Sequence, residues 1–221
     1  MAAYNIHSPK TDALKALIKT NGVALAGIAD VQNLHGMPLG LVPEAYGFLS
    51  QYRYAVVMAM PFGGLGSTAS GNDVSLFMEK AAIDVCSFVE ENQYRALTIH
   101  TEDEFDPVHR MGLMSLKVLA KAAGLGWQGR SLLIVSPTHG PLHRLIAVLT
   151  DMPLVPDAPL PNHCGTCAKC VEACPTNALS LVLFEDHPTR REDVLNLARC
   201  RGDFGCTLCI ESCPWAKLHS A

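Results

Sequence analysis

The sequence predicts an α+β protein in two parts: an α/β domain over residues 1–155 and a small cysteine-rich module over 156–221. Three observations carry this reading. Apolar residues make up 49% of the chain, ample for a packed core, and before residue 150 they recur with helical and strand periods in turn. Four prolines between Asp151 and Pro161 read as a stiff linker. Beyond that linker lie eight of the nine cysteines.

The elements follow in order. Ser8-Pro9 opens a helix, with Ser as cap and Pro at the first helical position. Ala13, Leu14, Leu17 and Ile18 recur at helical spacing, and Asn21-Gly22 ends it. Val23–Ala29 and Tyr54–Met60 are short apolar runs of strand type. Phe62–Asn72 is a glycine- and serine-rich loop. From Asp73 to about Glu91 an apolar stripe through Val74, Phe77, Met78, Ala81, Val85 and Phe88 marks a helix. Arg95–Thr101 reads as a strand and His109–Ala123 as a helix stopped by Gly124. Leu132–Val135 and Leu145–Leu149 are further strands. The alternation predicts a mixed α/β layer.

Composition narrows the function classes. No apolar run approaches the ~18–20 residues needed to span a bilayer, and Met1 is followed by no basic-then-apolar leader. No membrane and a reducing cytoplasm are therefore the expectation. The formal charge is −4 and there is no basic arm to track phosphates, which argues against nucleic acid as a partner.

The cysteines form one phrase written twice. The first copy is Cys164-x2-Cys167-x2-Cys170-x3-Cys174-Pro175, and the second is Cys200-x5-Cys206-x2-Cys209-x3-Cys213-Pro214. A C-x2-C-x2-C-x3-C-P run belongs to bacterial-type [4Fe–4S] sites, where the fourth cysteine serves the other cluster. Two runs predict two clusters with crossed ligation: Cys164, Cys167, Cys170 and Cys213 around one, and Cys200, Cys206, Cys209 and Cys174 around the other. The x5 gap departs from the usual x2 and lengthens the first loop of the second copy. Disulfides would need an oxidising compartment. Zinc sites usually pair two C-x2-C knuckles across a spacer rather than four cysteines in one run. Cys86 is left over among Val85, Phe88 and Val89, and reads as a buried, inert thiol.

Gly124-Leu125-Gly126-Trp127-Gln128-Gly129 satisfies G-x-G-x-x-G. Dinucleotide binding needs that loop after a strand and before a helix. Here a helix precedes it and a strand follows, which argues against a nicotinamide cofactor. Two readings stay open: a tight turn with Trp127 in the core, or a loop contacting another cofactor.

The segments KAAGLGWQGRSLLIVSPTHG, AVLTDMPLVPD, HCGTCAKCVEACPTNAL and FGCTLCIESCPW, in that order, resemble epoxyqueuosine reductase and its relatives, the reductive dehalogenases among them. The resemblance implies a nitroreductase-like α/β domain that binds cobalamin, followed by a bacterial-ferredoxin-like module with two [4Fe–4S] clusters. It carries over all eight cysteines, and it assigns Gly124, Gly126, Trp127, Gly129 and Arg130 to the corrinoid pocket. Asp73 stands where the family has an aspartate resembling a general acid, although Val74 and Ser75 replace the Tyr and His that follow there; a helix N-cap is the alternative. Arg110 would reach a corrin carboxamide or phosphate, or else simply start a solvated helix. No histidine among His100, His139, His143 and His163 is marked as an axial ligand. The family continues into helical repeats that help hold tRNA, whereas this chain stops eight residues after Cys213, so a tRNA substrate is not expected. The implied function is an iron–sulfur reductase taking electrons from a ferredoxin or flavodoxin and passing them through two clusters to cobalamin and a small-molecule acceptor. FMN in place of cobalamin, or a non-catalytic electron carrier or corrinoid-reducing factor, are the alternatives.

Overall fold

A computed structural model of the chain describes residues 8–34, 50–62, 65–66, 69–100, 112, 114–141, 143–202 and 205–216. Helix α1 (Pro9–Thr20) leads into β1 (Leu25–Asp30) and a 3-10 turn at Val31–Asn33. Then come β2 (Tyr54–Pro61), α2 (Gly71–Glu91), β3 (Ala96–Ile99) and α3 (Leu116–Ala122). Two-residue strands β4 (Trp127–Gln128) and β5 (Ile134–Val135) precede β6 (His143–Thr150). The cysteine module adds three single-turn helices, α4 (Lys169–Glu172), α5 (Arg191–Val194) and α6 (Leu208–Glu211).

Strands β1, β2, β6 and β3 form one sheet in that order, and every pairing is antiparallel. Helix–strand alternation ordinarily signals parallel crossovers; here the order along the sheet defeats them. Both faces are covered. Val56, Met58 and Met60 of β2 point to a core shared with Leu14 and Ile18 of α1 and Val74, Met78 and Val85 of α2. Ala55, Val57 and Ala59 point to the opposite core, with Leu116, Leu119 and Ala120 of α3. All eight residues of β2 are buried. This explains why it reads as an unbroken apolar run rather than an alternating one. Among the described residues no helix is long and apolar enough to cross a membrane.

Several boundaries move for physical reasons. The strand expected from Leu132 begins at Ile134, because Leu132 takes a left-handed φ of 63° that no strand accommodates. The helix expected from His109 is described from Leu116, capped by Ser115, whose hydroxyl accepts from the Val118 amide; residues 109–111 lie outside the described set. Helix α2 begins at Gly71, capped by Ser70 rather than by Asp73. Cys86 is half-buried against Thr98 at 3.3 Å, and burial pushes its thiol up, as an inert thiol requires.

The proline-rich stretch lies along the free edge of β1. The Asp157 amide donates to the Ile28 carbonyl at 2.8 Å, and the Asp157 carboxylate accepts from the Ile28 amide at 2.9 Å. Lys15 pairs with the same carboxylate at 2.6 Å, and the Val155 amide donates to the Thr11 hydroxyl. The boundary expected at 155/156 therefore falls inside a segment docked on the α/β layer. Asp157→Ala strands the Ile28 amide and unpairs Lys15, so it should cost about 1–3 kcal/mol in denaturant unfolding, and Asp157→Asn should recover part of that. Equal stability of the alanine variant would mean that the linker is not fastened through Asp157.

Candidate functional site

The two cysteine phrases fold alike. The caps of α4 and α6, Ala168 and Thr207, share one backbone conformation (φ −115°, ψ 4° and φ −118°, ψ 4°), and the two helices pack against each other. After each Cys-Pro the chain turns its amides back on the sulfur: the Ala178 amide donates to Cys174 Sγ at 3.2 Å, and Trp215 and Ala216 do the same for Cys213. The thiols act on one another electrostatically, mostly within the two expected sets and once across them, between Cys170 and Cys209. Burial pushes Cys170 up to about 11, with Cys209, Cys164 and Cys167 adding to it. Burial likewise pushes Cys209 up to about 11, aided by Cys200, Cys206 and Cys174. Cys213 is raised by burial, against the Trp215 amide, and by Cys164 and Cys167. At Cys174 burial is outweighed by the amides of Ala178, Thr176 and Leu179, and the thiol is lowered. Among the described residues no group of three His, Cys, Asp or Glu converges closely enough to hold a single metal ion.

The Gly124–Arg130 loop seats this module on the sheet. Gly124 faces the Ala158 carbonyl and Gly126 that of Val135, each too close for a Cβ. At Gly129 a Cβ would lie 2.8 Å from Val135 and 3.8 Å from Cys164 Sγ. Trp127 is 1% exposed, and its ring meets those of His163 and Trp215 edge-on, both at 4.9 Å. Arg130, 4% exposed, donates to the carbonyls of Phe184 (2.9 Å) and Gly165 (2.5 Å) and lies over the Phe184 ring. A second close approach is at Gly140, where φ is +61° and a Cβ would collide with the Trp215 carbonyl. Of the two sequence readings the structure shows the first: Trp127 is in the core, and that core is the joint with the cysteine module.

A cavity of about 590 Å³ opens beside the joint. Apolar Phe62, Leu132 and Ile134 line it together with Lys117, Lys121, His143, Arg144, Arg190 and His187. None of Gly124, Gly126, Trp127, Gly129 and Arg130 is in its wall, but Gln128 is. The Gln128 carbonyl accepts from Asn162, whose side chain in turn accepts from the Cys164 amide at 2.8 Å, so one residue separates the cavity wall from the first cysteine set. Lys121 is 4% exposed and pairs with Asp186, which also faces His187 at 3.5 Å. Burial and then His139 lower His143 to about 4, which leaves the ring neutral at physiological pH. His143 Nδ1 and Arg144 Nε are buried without a hydrogen-bond partner among the described residues.

Asp73 is not in the cavity wall. It is exposed, and its carboxylate accepts from the Ser70 hydroxyl and amide, both at 2.7 Å, closing a capping box. Those bonds, the hydroxyl's first, hold its carboxyl below the usual range. Arg110 lies outside the described residues. Lys121, His143, Arg144 and His187 were missed by sequence reasoning as members of a site. The signal available was a lysine at a core position of a helix whose neighbours Leu119, Ala120 and Ala122 are all apolar.

Residues 163–217 match the 4Fe-4S dicluster domain family. The chain resembles the epoxyqueuosine reductases. It is 31% identical to that of Leadbetterella byssophila over 47% of this chain and 39% of the relative. With that of Cyclobacterium marinum the figures are 31%, 59% and 48%, and with that of Vibrio cholerae 36%, 45% and 30%. The chain thus spans less than half the length of these relatives. A crystal structure of an epoxyqueuosine reductase shares the fold with a TM-score of 0.67 at 18% identity, over 92% of this chain and 64% of the other. A catabolic reductive dehalogenase in complex with 3-bromo-4-hydroxybenzoic acid matches with 0.67 at 22%, over 93% and 32%.

The joint gives a direct test. Gly140→Val forces Trp215 away and drags Cys213 with it, so iron bound per chain should fall by about half relative to wild type if Cys213 closes one of two clusters. Full iron loading of the variant would show that Gly140 does not position Cys213.

Proposed function

We propose that this chain is an iron–sulfur oxidoreductase that passes single electrons from two [4Fe–4S] clusters to an acceptor group held in the adjacent cavity. The observation that carries the reading is the Gln128–Asn162–Cys164 connection, which puts one cysteine set directly behind the cavity wall. Cys164, Cys167, Cys170 and Cys213 would hold one cluster, and Cys200, Cys206, Cys209 and Cys174 the other. Cys213 is influenced by Cys164 and Cys167, and Cys209 by Cys200, Cys206 and Cys174, which supports this grouping, although Cys170 is also influenced by Cys209 across it. Their spacing suits a cube better than zinc, whose thiolates, each ~2.3 Å from one ion, crowd together. Amide donors to the sulfurs of Cys174 and Cys213 are the kind of contact that tunes cluster potential.

Cobalamin fits the cavity as the acceptor group. The cavity joins an apolar lining to buried polar atoms, and Arg144 Nε in its wall has no hydrogen-bond partner among the described residues. One matched structure is described as suggesting a mechanism for B12-dependent dehalogenation, with a TM-score of 0.66 over 99% of this chain. When bound, cobalamin would provide a low-potential metal centre able to reduce an organic acceptor. The chain's own part is to exclude water with Phe62, Leu132 and Ile134, to present a neutral His143, and to keep the Lys121 ammonium at the wall through Asp186. The α/β layer is read as the nitroreductase-like domain of the epoxyqueuosine reductase family on the fold match. Asp73 is read as the capping-box partner of Ser70, since a general acid needs a raised carboxyl and a place at the site. Another matched structure holds an epoxyqueuosine-modified tRNA-Tyr stem loop, so the expectation against tRNA gains no support from the comparison.

Metal and cofactor analysis of anaerobically purified protein tests the reading. About eight irons per chain with cobalt near one to one is expected. FMN without cobalt transfers the cavity to a flavin, and clusters with neither leave an electron carrier. Iron equivalent to less than one cluster sinks the proposal. Asp73→Asn should leave turnover within about twofold and lower the unfolding midpoint slightly as the capping box weakens; a loss of turnover with stability intact would restore Asp73 as the acid.

A further inference from the structure

We infer that the cavity takes its acceptor as an organic anion, a carboxylate or phosphate on an apolar body, with the anionic group held by Lys117 and Arg144. The inference rests on the proposed function, because it takes the cavity as the place where the acceptor is bound.

The wall is cationic in a chain whose net charge is −4. Lys117 and Lys121 stand at i and i+4 on one face of α3, while Leu119 and Ala120 of the same helix enter the core. Arg144 of β6, with Arg190 and Arg191 at the start of α5, completes a set of five cations. Glu192 is the one carboxylate among the described lining residues.

Ion pairs use up only part of this charge. Arg190 pairs with Glu192 at 3.8 Å, and Lys121 with Asp186. Lys117 and Arg144 have no carboxylate partner among the described residues. Arg144 lies over the Phe62 ring, and its Nε is buried without a hydrogen-bond partner among those residues. Lys117 is accessible in the wall, yet protein crowds it. Desolvation, and then the charge of Arg191, pull its ammonium below the usual lysine range. A cation so placed is costly to keep charged, and an anion entering the cavity relieves that cost.

The rest of the lining says what the anion is attached to. Phe62, Leu116, Leu132 and Ile134 share the wall, so a bare inorganic ion would leave the apolar part unfilled. A ligand with an apolar body and one charged end satisfies both.

Calorimetric titration of the anaerobic holoprotein with benzoate and phenyl phosphate, against neutral benzyl alcohol, tests this. An anion should bind about tenfold more tightly than the alcohol. Lys117→Gln and Arg144→Gln, with iron content unchanged, should each weaken the anion about tenfold and leave the alcohol unaffected. Lys80→Gln removes the same charge from the solvent face of α2, away from the cavity wall, and should change nothing. A variant of Lys117 or Arg144 that binds the anion like wild type overturns that residue's role. An anion bound no better than the alcohol, or weakened equally by Lys80→Gln, overturns the site. Repeating the titration on protein loaded with hydroxocobalamin or FMN separates two sources of the anionic group. Binding that persists supports the acceptor, whereas binding abolished by loading gives these cations to the cofactor's own phosphate and overturns it. Absence of clusters overturns the function beneath, while Lys117→Gln still reports on the anion site itself.

Discussion

The buried guanidinium of Arg130 is the contact on which the rest of the molecule depends. Its described partners are two carbonyls and the Phe184 ring, and its Nε has no hydrogen-bond partner among the described residues. A charge held this way tolerates little displacement, because losing either carbonyl leaves it uncompensated in the interior. Gly165 follows the first cysteine of the phrase and Phe184 lies beyond its last, so a single side chain from the α/β layer ties both to the sheet. The Trp127, His163 and Trp215 rings fill the space beside it. The cavity inherits its position from this joint, since Gln128 stands in the same loop.

What is legible in the sequence follows from how locally each feature is encoded. The cysteine phrases are local: ligand spacing is set by turns of a few residues, so the two sets can be read before any fold is known. Strands β1, β2 and β6 are legible within a few residues because their apolar runs are continuous. Their antiparallel order is not, because pairing partners lie far apart in the chain. The sequence pattern sets the cap of α2 three residues late. Ser70 and Asp73 both favour helix starts, and only geometry shows that they act as a reciprocal pair.

The cavity is the least legible part. Its wall is gathered from α3 and the residues before it, the β4–β5 turn, β6 and the segment leading into α5, stretches that lie far apart in the chain. The glycine loop is conspicuous in the sequence, but glycine marks close approach without naming what approaches. At Gly124, Gly126 and Gly140 it is backbone from elsewhere in the same chain.

The strand order has a further consequence, for the birth of the protein rather than its chemistry. Val57 of β2 pairs with Ala147 of β6, about 90 residues later. During synthesis β2 emerges as a wholly apolar strand long before its central partner exists. Contacts of such high sequence separation slow folding, and in the interval β2, paired on one edge with β1, leaves its other apolar edge open to other chains. Nascent chains of this protein therefore have reason to engage a chaperone between the appearance of β2 and that of β6.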